Sequence, residues 1–400
     1  MKKKLALPIA ALVIASLSFA ASASAAQKSI SVKKIEKLVA TTDAEMLIAS
    51  GPSIILISNT ESPTARISLT ALDSTGLPTW QKKIESQQDQ MASAATTDTE
   101  GNIWLAGFSA PQNAVESATA AVVADNPDGV VPELYPNIRQ DLRVLTVWKL
   151  SSIGDVISTY SKELTEPGLI NAIAVNATGV SVVGQFTDKP FLITANQSGT
   201  LSKMYFVGTA KTTINTVVRN SDSSSSLFGS STEKLGGKTL VGKRDGILMK
   251  VSKSGSVTAV VRSSIAKGDR SWLSADSNLL LTGYVKSGKI TESAITKFNS
   301  SFAPTWTIRI QSSGESVGLS SGKNSIAALS STSAVKSLVG WKPTKNQLLV
   351  VSFDSKGIIT GASGSSELSA PVALSYSKEL GVVGLAKAAD QSVAVFKVPK

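Results

Sequence analysis

The sequence predicts an all-β protein: a seven-bladed β-propeller with four antiparallel strands per blade, in which the N-terminal strand closes the last blade. Two types of short segment alternate along the chain, and each is a pair of β-rich runs joined by a turn of Asp, Asn, Ser and Gly. One copy of each type makes a unit of about 45–55 residues, a period typical of propellers. The last run of the chain lacks a partner, which the N-terminal segment can supply.

The first type of segment is a tight polar turn followed by a strand that contains glycine. Residues 96–110, TTDTEGNIWLAGFSA, show it most clearly. Its alternation of residue types has a period of two and not 3.6, which predicts strands and no helix. Further copies lie at 174–188, 219–233, 274–288, 320–333 and 375–388, with a weaker one at 49–61.

The second type of segment lies between copies of the first. It occurs at 65–84, 144–163, 190–208, 246–264, 293–310 and 348–366. Trp80 and Trp306 occupy the same position in two copies, within PTW, and Tyr205 also lies in an outer strand. A bulky aromatic at a repeated position predicts packing between blades and not a ligand platform.

The two chain ends complete the count of seven blades. Residues 391–400, QSVAVFKVPK, match the first strand of the second type and then the chain stops. Residues 28–38, KSISVKKIEKL, supply the missing strand, which hides both sheet edges. We therefore expect a single domain from residue 28 to 400, with a long loop insertion at 111–142.

One blade carries a family resemblance. Residues 228–255, FGSSTEKLGGKTLVGKRDGILMKVSKSG, resemble a bacterial family of exported seven-bladed β-propeller repeats, in which a Gly/Ser/Thr-rich loop leads to an Asp-small-apolar-apolar-x-Lys strand and a turn ending in Gly. The matching positions are Gly229, Ser230, Asp245, Gly246, Ile247, Lys250 and Gly255. The resemblance implies the fold and a scaffold role, and it brings no catalytic residues.

The N-terminus predicts export. Three lysines, an apolar run from Leu5 to about Ala20 and the small residues Ala23-Ser24-Ala25 are typical of a cleaved signal peptide, here residues 1–25. The alternative is a retained membrane anchor, which the shortness of the run and Pro8 disfavour. We expect a secreted protein, extracellular or periplasmic if the source has an outer membrane, with no membrane span after cleavage.

Composition excludes several kinds of site. The formal charge of +11 falls to +8 without Lys2, Lys3 and Lys4, but the basic residues are dispersed, which argues against nucleic acid as a partner. The chain has no cysteine and therefore no disulfide. It also has no histidine, which excludes Ser-His-Asp triads and ordinary zinc sites.

Three short motifs have a simpler reading as turns. GKTLVGKR (237–244) lacks the Ser/Thr and the helix of a phosphate-binding loop, and DNPDG (125–129) lacks the end ligands of a calcium loop. Two Ser-x-x-Lys sequences, 231–234 and 375–378, fall in turns and not on a helix. No residue is assigned to catalysis or to a metal, and no cofactor is expected.

The loops that join second to third strands carry the insertions: 111–142, about 231–244 and about 331–346. Such loops leave a propeller on one face, where we expect a binding site. The first insertion is acidic, whereas the later blades are basic there, with Arg270 counted among their surface charges. The hypothesis is a basic crescent in which Trp341 is an exposed aromatic anchor. Its residues are Trp341, Lys342, Lys345, Lys243, Arg244, Lys286 and Lys289.

Two functions remain open from the sequence. The first is a non-enzymatic, monomeric binding or scaffold module at the cell envelope or outside the cell, with an envelope protein, a glycan or a polyanion as partner. The alternative is a propeller-type hydrolase or lyase that uses carboxylate or metal chemistry without histidine. Carboxylates are few in the expected inner strands, which favours the first.

Overall fold

The computed structural model describes residues 29–41, 43–60, 64–112, 139–196, 198–388, 390 and 392–399. The proposed signal peptide and residues 113–138 of the long insertion lie outside these ranges. Within the described residues no helix has the length and apolar character needed to cross a bilayer.

The described residues form strands joined by turns. The first ten are β1 (Ile30–Lys34), β2 (Glu36–Thr41), β3 (Met46–Ser50), β4 (Ser53–Thr60), β5 (Arg66–Leu72), β6 (Pro78–Lys83), β7 (Gln90–Thr97), β8 (Ile103–Ser109), β9 (Val144–Leu150) and β10 (Val156–Glu163). The next ten are β11 (Gly168–Asn176), β12 (Gly179–Phe186), β13 (Lys189–Ala195), β14 (Tyr205–Phe206), β15 (Thr212–Arg219), β16 (Ser225–Ser231), β17 (Asp245–Val251), β18 (Val257–Ser263), β19 (Asp269–Ala275) and β20 (Leu280–Ser287). The last are β21 (Ile290–Phe298), β22 (Pro304–Ser321), β23 (Asn324–Ser331), β24 (Leu338–Val339), β25 (Gln347–Phe353), β26 (Ile359–Ser365), β27 (Leu368–Ser377), β28 (Gly381–Ala388) and β29 (Val393–Lys397).

These strands make a β-propeller with five four-stranded blades and one larger sheet. Blade one is β3–β6, blade two β7–β10, blade three β11–β14 and blade four β15–β18. The closing blade has the order β2-β29-β28-β27. The remaining strands form a nine-stranded sheet of order β19-β20-β21-β22-β23-β25-β26-β1-β24. The hairpins predicted from the two segment types agree with these strands.

The prediction of seven separate four-stranded blades is wrong. Strand β22 runs for 18 residues without a turn, pairs with β21 through its first half and with β23 through its second, and so joins two antiparallel groups into one sheet. The register shifts between Ser312 and Ser316, around Gly314 with φ +115°. A single glycine permits a bulge here, whereas other groups are separated by turns such as TEPG (165–168).

The N-terminal segment also departs from the expected arrangement. The single completing strand predicted over 28–38 is divided at Ile35, whose amide donates to the Gly364 carbonyl at 3.0 Å. Strand β1 pairs in parallel with β26 and β24 of the nine-stranded sheet. Strand β2 pairs antiparallel with β29 in the closing blade. The chain ends therefore meet, but the N-terminal segment joins two sheets.

Each sheet is apolar on both faces. In β4, Ile54 and Leu56 pack in a cluster shared with the closing blade, whereas Ile55 and Ile57 pack in a cluster shared with blade two. All four side chains are buried. Because side chains alternate between the faces of a strand, a run of consecutive buried residues means that the sheet is covered on both sides.

An aromatic side chain resting on a glycine recurs between neighbouring sheets. The outer-strand aromatic of one sheet covers the glycine of the turn between the third and fourth strands of the next. Three pairs join neighbouring sheets: Trp80 on Gly154, Tyr160 on Gly199 and Tyr205 on Gly255. Trp306 covers Gly357 in the same way between the two antiparallel groups of the nine-stranded sheet. These glycines have φ between +81° and +85°, so both the backbone and the ring above it require the absence of a Cβ.

One boundary reverses this arrangement. The turn after β21 has Phe302 in the glycine position, with φ +61°. On the preceding outer strand, Ala259 pairs with Lys250 in the register in which Trp306 pairs with Lys297. Phe302 is buried and meets Phe228 edge-on, with ring centroids 5.8 Å apart. At this boundary the large side chain therefore belongs to the turn and not to the outer strand.

Polar side chains close many of the turns. The carboxylate of each of four aspartates accepts the backbone N–H groups of the residues two and four positions later, which explains the frequency of Asp at the turns. These are Asp73, Asp98, Asp276 and Asp354. Trp104 Nε1 also donates to Asp98, at 2.9 Å. Partial burial alone would raise the pKa of Asp98, but these hydrogen bonds hold that pKa below its usual value.

Replacing Gly255 by Ala tests the aromatic contact. The new Cβ overlaps the Tyr205 ring and the backbone must keep φ +85°. We expect the free energy of unfolding in urea to fall by about 2–4 kcal/mol, of which about 1 kcal/mol is the left-handed backbone. Gly237→Ala is the matched control, because Gly237 has φ +75° and nothing within 4 Å of an added Cβ. Equal losses in the two variants would contradict the role of the ring.

Deleting residues 392–400 tests the chain-end pairing. Strand β29 lies between β2 and β28, so its loss exposes two edges and the cluster around Val395. We expect the cooperative thermal transition, monitored by circular dichroism, to be lost. Deletion of 399–400 alone removes no strand residue and should leave the transition in place. A cooperative transition of full height in the longer deletion would contradict the prediction.

Candidate functional site

The loop between β16 and β17, residues 232–244, ends in a fixed conformation beside the next sheet. The amides of Val241 and Gly242 donate to the Asp245 carboxylate at 3.0 and 2.9 Å. Arg262 Nη1 lies 3.1 Å from the same carboxylate, and both side chains are almost fully buried. Burial alone would raise the pKa of Asp245, but the amides and Arg262 keep that pKa below its usual value. Asp245 therefore anchors the loop as an anion.

The end of this loop is bonded to the start of β19. Lys243 donates its amide to Gly268 at 2.8 Å, and Arg244 accepts the amide of Arg270 at 2.9 Å. Arg244 also pairs in parallel with Asp269. The backbone hydrogen bonds thus fix where these two cationic side chains leave the surface.

The next hairpin continues the same line of cations. Lys286 of β20 lies opposite Asp269, which itself pairs with Arg244. Two strand spacings separate Arg244 from Lys286, about 10 Å. Lys289 lies in the two-residue turn between β20 and β21. We call Lys243, Arg244, Lys286 and Lys289 the basic ridge; all four are exposed.

The basic ridge is not neutralised. Among the described residues none of its four side chains forms an ion pair, and Asp269 is the one carboxylate brought beside it by strand pairing. The ridge therefore presents a positive potential at the edge of the sheets, where a negatively charged group would be attracted.

The expectation that Trp341 is an exposed anchor is wrong. Trp341 is 7% exposed, and its Nε1 donates to Ser331 Oγ at 3.0 Å. Its ring covers Gly364 of β26, where a Cβ would overlap it. The absence of a side chain at Gly364 leaves a space that the indole fills. The partner glycine is 23 positions away along the chain (364 − 341), so no local pattern signals this contact.

The predicted crescent is therefore brought together only in part. Lys342 and Lys345 are exposed, but they belong to the loop before β25, and no hydrogen bond or ion pair between described residues joins that loop to the basic ridge. Four of the seven predicted residues form one surface. Whether any of them binds a ligand stays a prediction.

The expectation that Arg270 is a surface charge is wrong. Its residue is 6% exposed, and its guanidinium lies over the Trp272 ring, with 4.2 Å from the guanidinium carbon to the ring centroid. In the strand DRSWL (269–273), successive side chains point to opposite faces. Arg270 therefore lies on the same face as Trp272, and Ser271 lies on the other. The pattern could have identified this burial.

The acidic insertion is described only at its base. Arg139 bridges Asp89 and Asp141, and these contacts raise the pKa of Arg139 above its usual value. Arg66 also pairs with Asp89, at 3.4 Å. The other acidic residues of the insertion, Glu116, Asp125, Asp128 and Glu133, lie outside the described residues.

Comparison with known proteins shows the fold alone. Hydrazine synthase of Kuenenia stuttgartiensis matches with a TM-score of 0.51 and 10% identity, over 90% of this chain and 97% of that one. The β-propeller domain of the Trilobed protease of Pyrococcus furiosus matches with a TM-score of 0.50 and 11% identity, over 90% of this chain and 96% of that one. No protein-family model matches the chain, and no curated protein matches it.

Trp341→Ala tests the structural role of this indole. Removing a buried Trp side chain should lower the free energy of unfolding in urea by about 3–5 kcal/mol, because it leaves a cavity beside Gly364 and removes the hydrogen bond from Trp341 Nε1 to Ser331 Oγ. Lys342→Ala, at an exposed neighbour, should change that free energy by less than about 0.5 kcal/mol. A loss in the Trp341 variant as small as in the Lys342 variant would contradict the burial.

Proposed function

We propose that the protein is an exported, non-enzymatic β-propeller that binds an acidic polysaccharide of the cell envelope through the basic ridge. The observation that supports this proposal is the placement of the four exposed cations on backbone fixed by strand pairing. Export is proposed from the signal-peptide pattern of residues 1–25, and the propeller supplies a rigid frame for the ridge.

The spacing of the ridge suits a chain of repeated negative charges. Arg244 and Lys286 stand about 10 Å apart across two strand spacings. Such a row can contact successive charged groups along one polymer, whereas a single small anion would use only one or two of its cations. Each exposed contact contributes about 0.2–1 kcal/mol, so affinity depends on several contacts acting together.

Binding is proposed in place of catalysis because of the chemistry the chain lacks. It has no histidine and no cysteine, so the commonest general bases and nucleophile partners are missing from its sequence. Lysine and arginine side chains on an exposed edge hold charge well, but they are poor proton acceptors at neutral pH.

The test is binding to immobilised polygalacturonate, a polymer with one carboxylate per sugar. Changing Lys243, Arg244, Lys286 and Lys289 together to Gln should weaken binding at least about tenfold, since four contacts are lost. Binding of the parent protein should also fall steeply as salt rises from about 50 to 500 mM, because the Debye length shortens.

The matched control removes the same charge from the opposite edge. Lys253, Lys323, Lys356 and Lys378 are exposed and lie in turns at the other ends of the strands. Their replacement by Gln should leave binding within about twofold of the parent. If both quadruple variants lose binding equally, attraction follows net charge alone and the ridge is not the contact.

A further inference from the structure

We propose that Arg270 forms a second, buried site, which binds a small oxyanion between blade four and the nine-stranded sheet. This site is distinct from the basic ridge and does not depend on the polysaccharide proposal. It rests on a guanidinium that is removed from water and has no counter-charge.

The surroundings of Arg270 hold its side chain in one place. Trp272 is fully buried and stacks on the guanidinium. A Cβ at Gly246 of β17 would lie 2.9 Å from Trp272 Nε1 and 3.3 Å from Arg270 Cγ. The Trp272 ring and the Arg270 side chain therefore both pack against the Gly246 backbone, at the boundary that Phe228 and Leu248 of blade four also line.

The Nε–Nη2 edge of the guanidinium has a single hydrogen bond, and that bond is long. Its Nε has no hydrogen-bond partner, and its Nη2 has one long contact, 3.4 Å to Thr296 Oγ1. Among the described residues no carboxylate forms an ion pair with Arg270. Burying a guanidinium without a partner is unfavourable, and its Nε and Nη2 together make the fork that binds an oxyanion through two parallel hydrogen bonds.

Nearby groups reinforce the preference for an anion. Burial, together with a smaller contribution from repulsion by Arg309, lowers the pKa of Arg270 to about 10. Arg309 is itself only loosely paired, 3.8 Å from Glu292. The two arginines and one carboxylate leave a local excess of positive charge.

The donors define the class of ligand. Thr296 Oγ1 lies beside Arg270 and 3.1 Å from Thr307 Oγ1, so a hydroxyl donor stands next to the guanidinium fork. Trp272 Nε1 is a further buried donor without an acceptor. A fork with adjacent hydroxyls suits the several oxygens of sulfate or phosphate better than a halide, which can use only one point of contact.

The experiment is thermal unfolding of the full chain in 0–20 mM sulfate, with chloride adjusted to keep ionic strength constant. The melting temperature of the parent should rise with sulfate concentration, and at high sulfate the rise should become logarithmic, as expected for one bound ion. In Arg270→Met, which keeps the length and apolar contacts of the side chain, the rise should disappear while the sulfate-free melting temperature is kept or increased.

Two further variants keep the test decisive if Arg270→Met does not fold. Thr296→Val keeps the shape and should weaken the apparent sulfate affinity several-fold, and the ridge variant with four Gln should retain the parent response. A sulfate response that is equal in the parent, Arg270→Met and Thr296→Val overturns the site, as does its absence in the parent. A response lost only in the ridge variant places the anion on the surface and also overturns it.

Discussion

The structure depends on one constraint: its sheets are apolar on both faces. Ile54 and Leu56 face one neighbour while Ile55 and Ile57 face the other, so a blade alone would expose half of its buried surface to water. A circular arrangement covers both faces of every sheet. The contacts of Trp80 and Tyr205 with turn glycines then set how closely neighbours approach, because each ring fits only where a Cβ is missing. At the turn after β21 the large side chain is instead Phe302, and the preceding outer strand has Ala259 at the aromatic position.

The hairpins could be predicted because strand alternation and turn chemistry are local signals. Asp at a turn accepts hydrogen bonds from nearby backbone amides, and alternation with a period of two indicates which strand residues are buried. Both signals lie within about 15 residues of sequence. The number of separate sheets could not be predicted in the same way. It depends on whether the chain turns between two paired groups, and around Gly314 a bulge replaced the turn. The division of the N-terminal segment at Ile35 likewise depends on partners more than 300 residues away.

The candidate site was predicted in part for the same reason. Lys243, Arg244, Lys286 and Lys289 come together because their loops join adjacent strands, which the repeat already indicated. Trp341 was assigned to the surface because it lies outside the repeats, but Gly364 on a distant strand provides a space for it. Counting charge along the sequence could not separate Arg270 from the ridge, since exposed and buried arginines contribute equally to such a count. Burial is what makes their chemistry different: an exposed cation is solvated, and a buried one needs a partner.

The pairing of β2 with β29 has a consequence for how the chain acquires its structure. Glu36 lies opposite Lys397, so β2 can pair only after a strand about 360 residues later in the sequence has been made. Contacts between residues so far apart in sequence form slowly, because the loop between them must be ordered first. During that interval β2 and the edge of β29 that pairs with it have no partner, and unpaired strand edges can pair with those of other molecules. The time before β2 and β29 pair is therefore when the protein is most exposed to association with other molecules through unpaired strands.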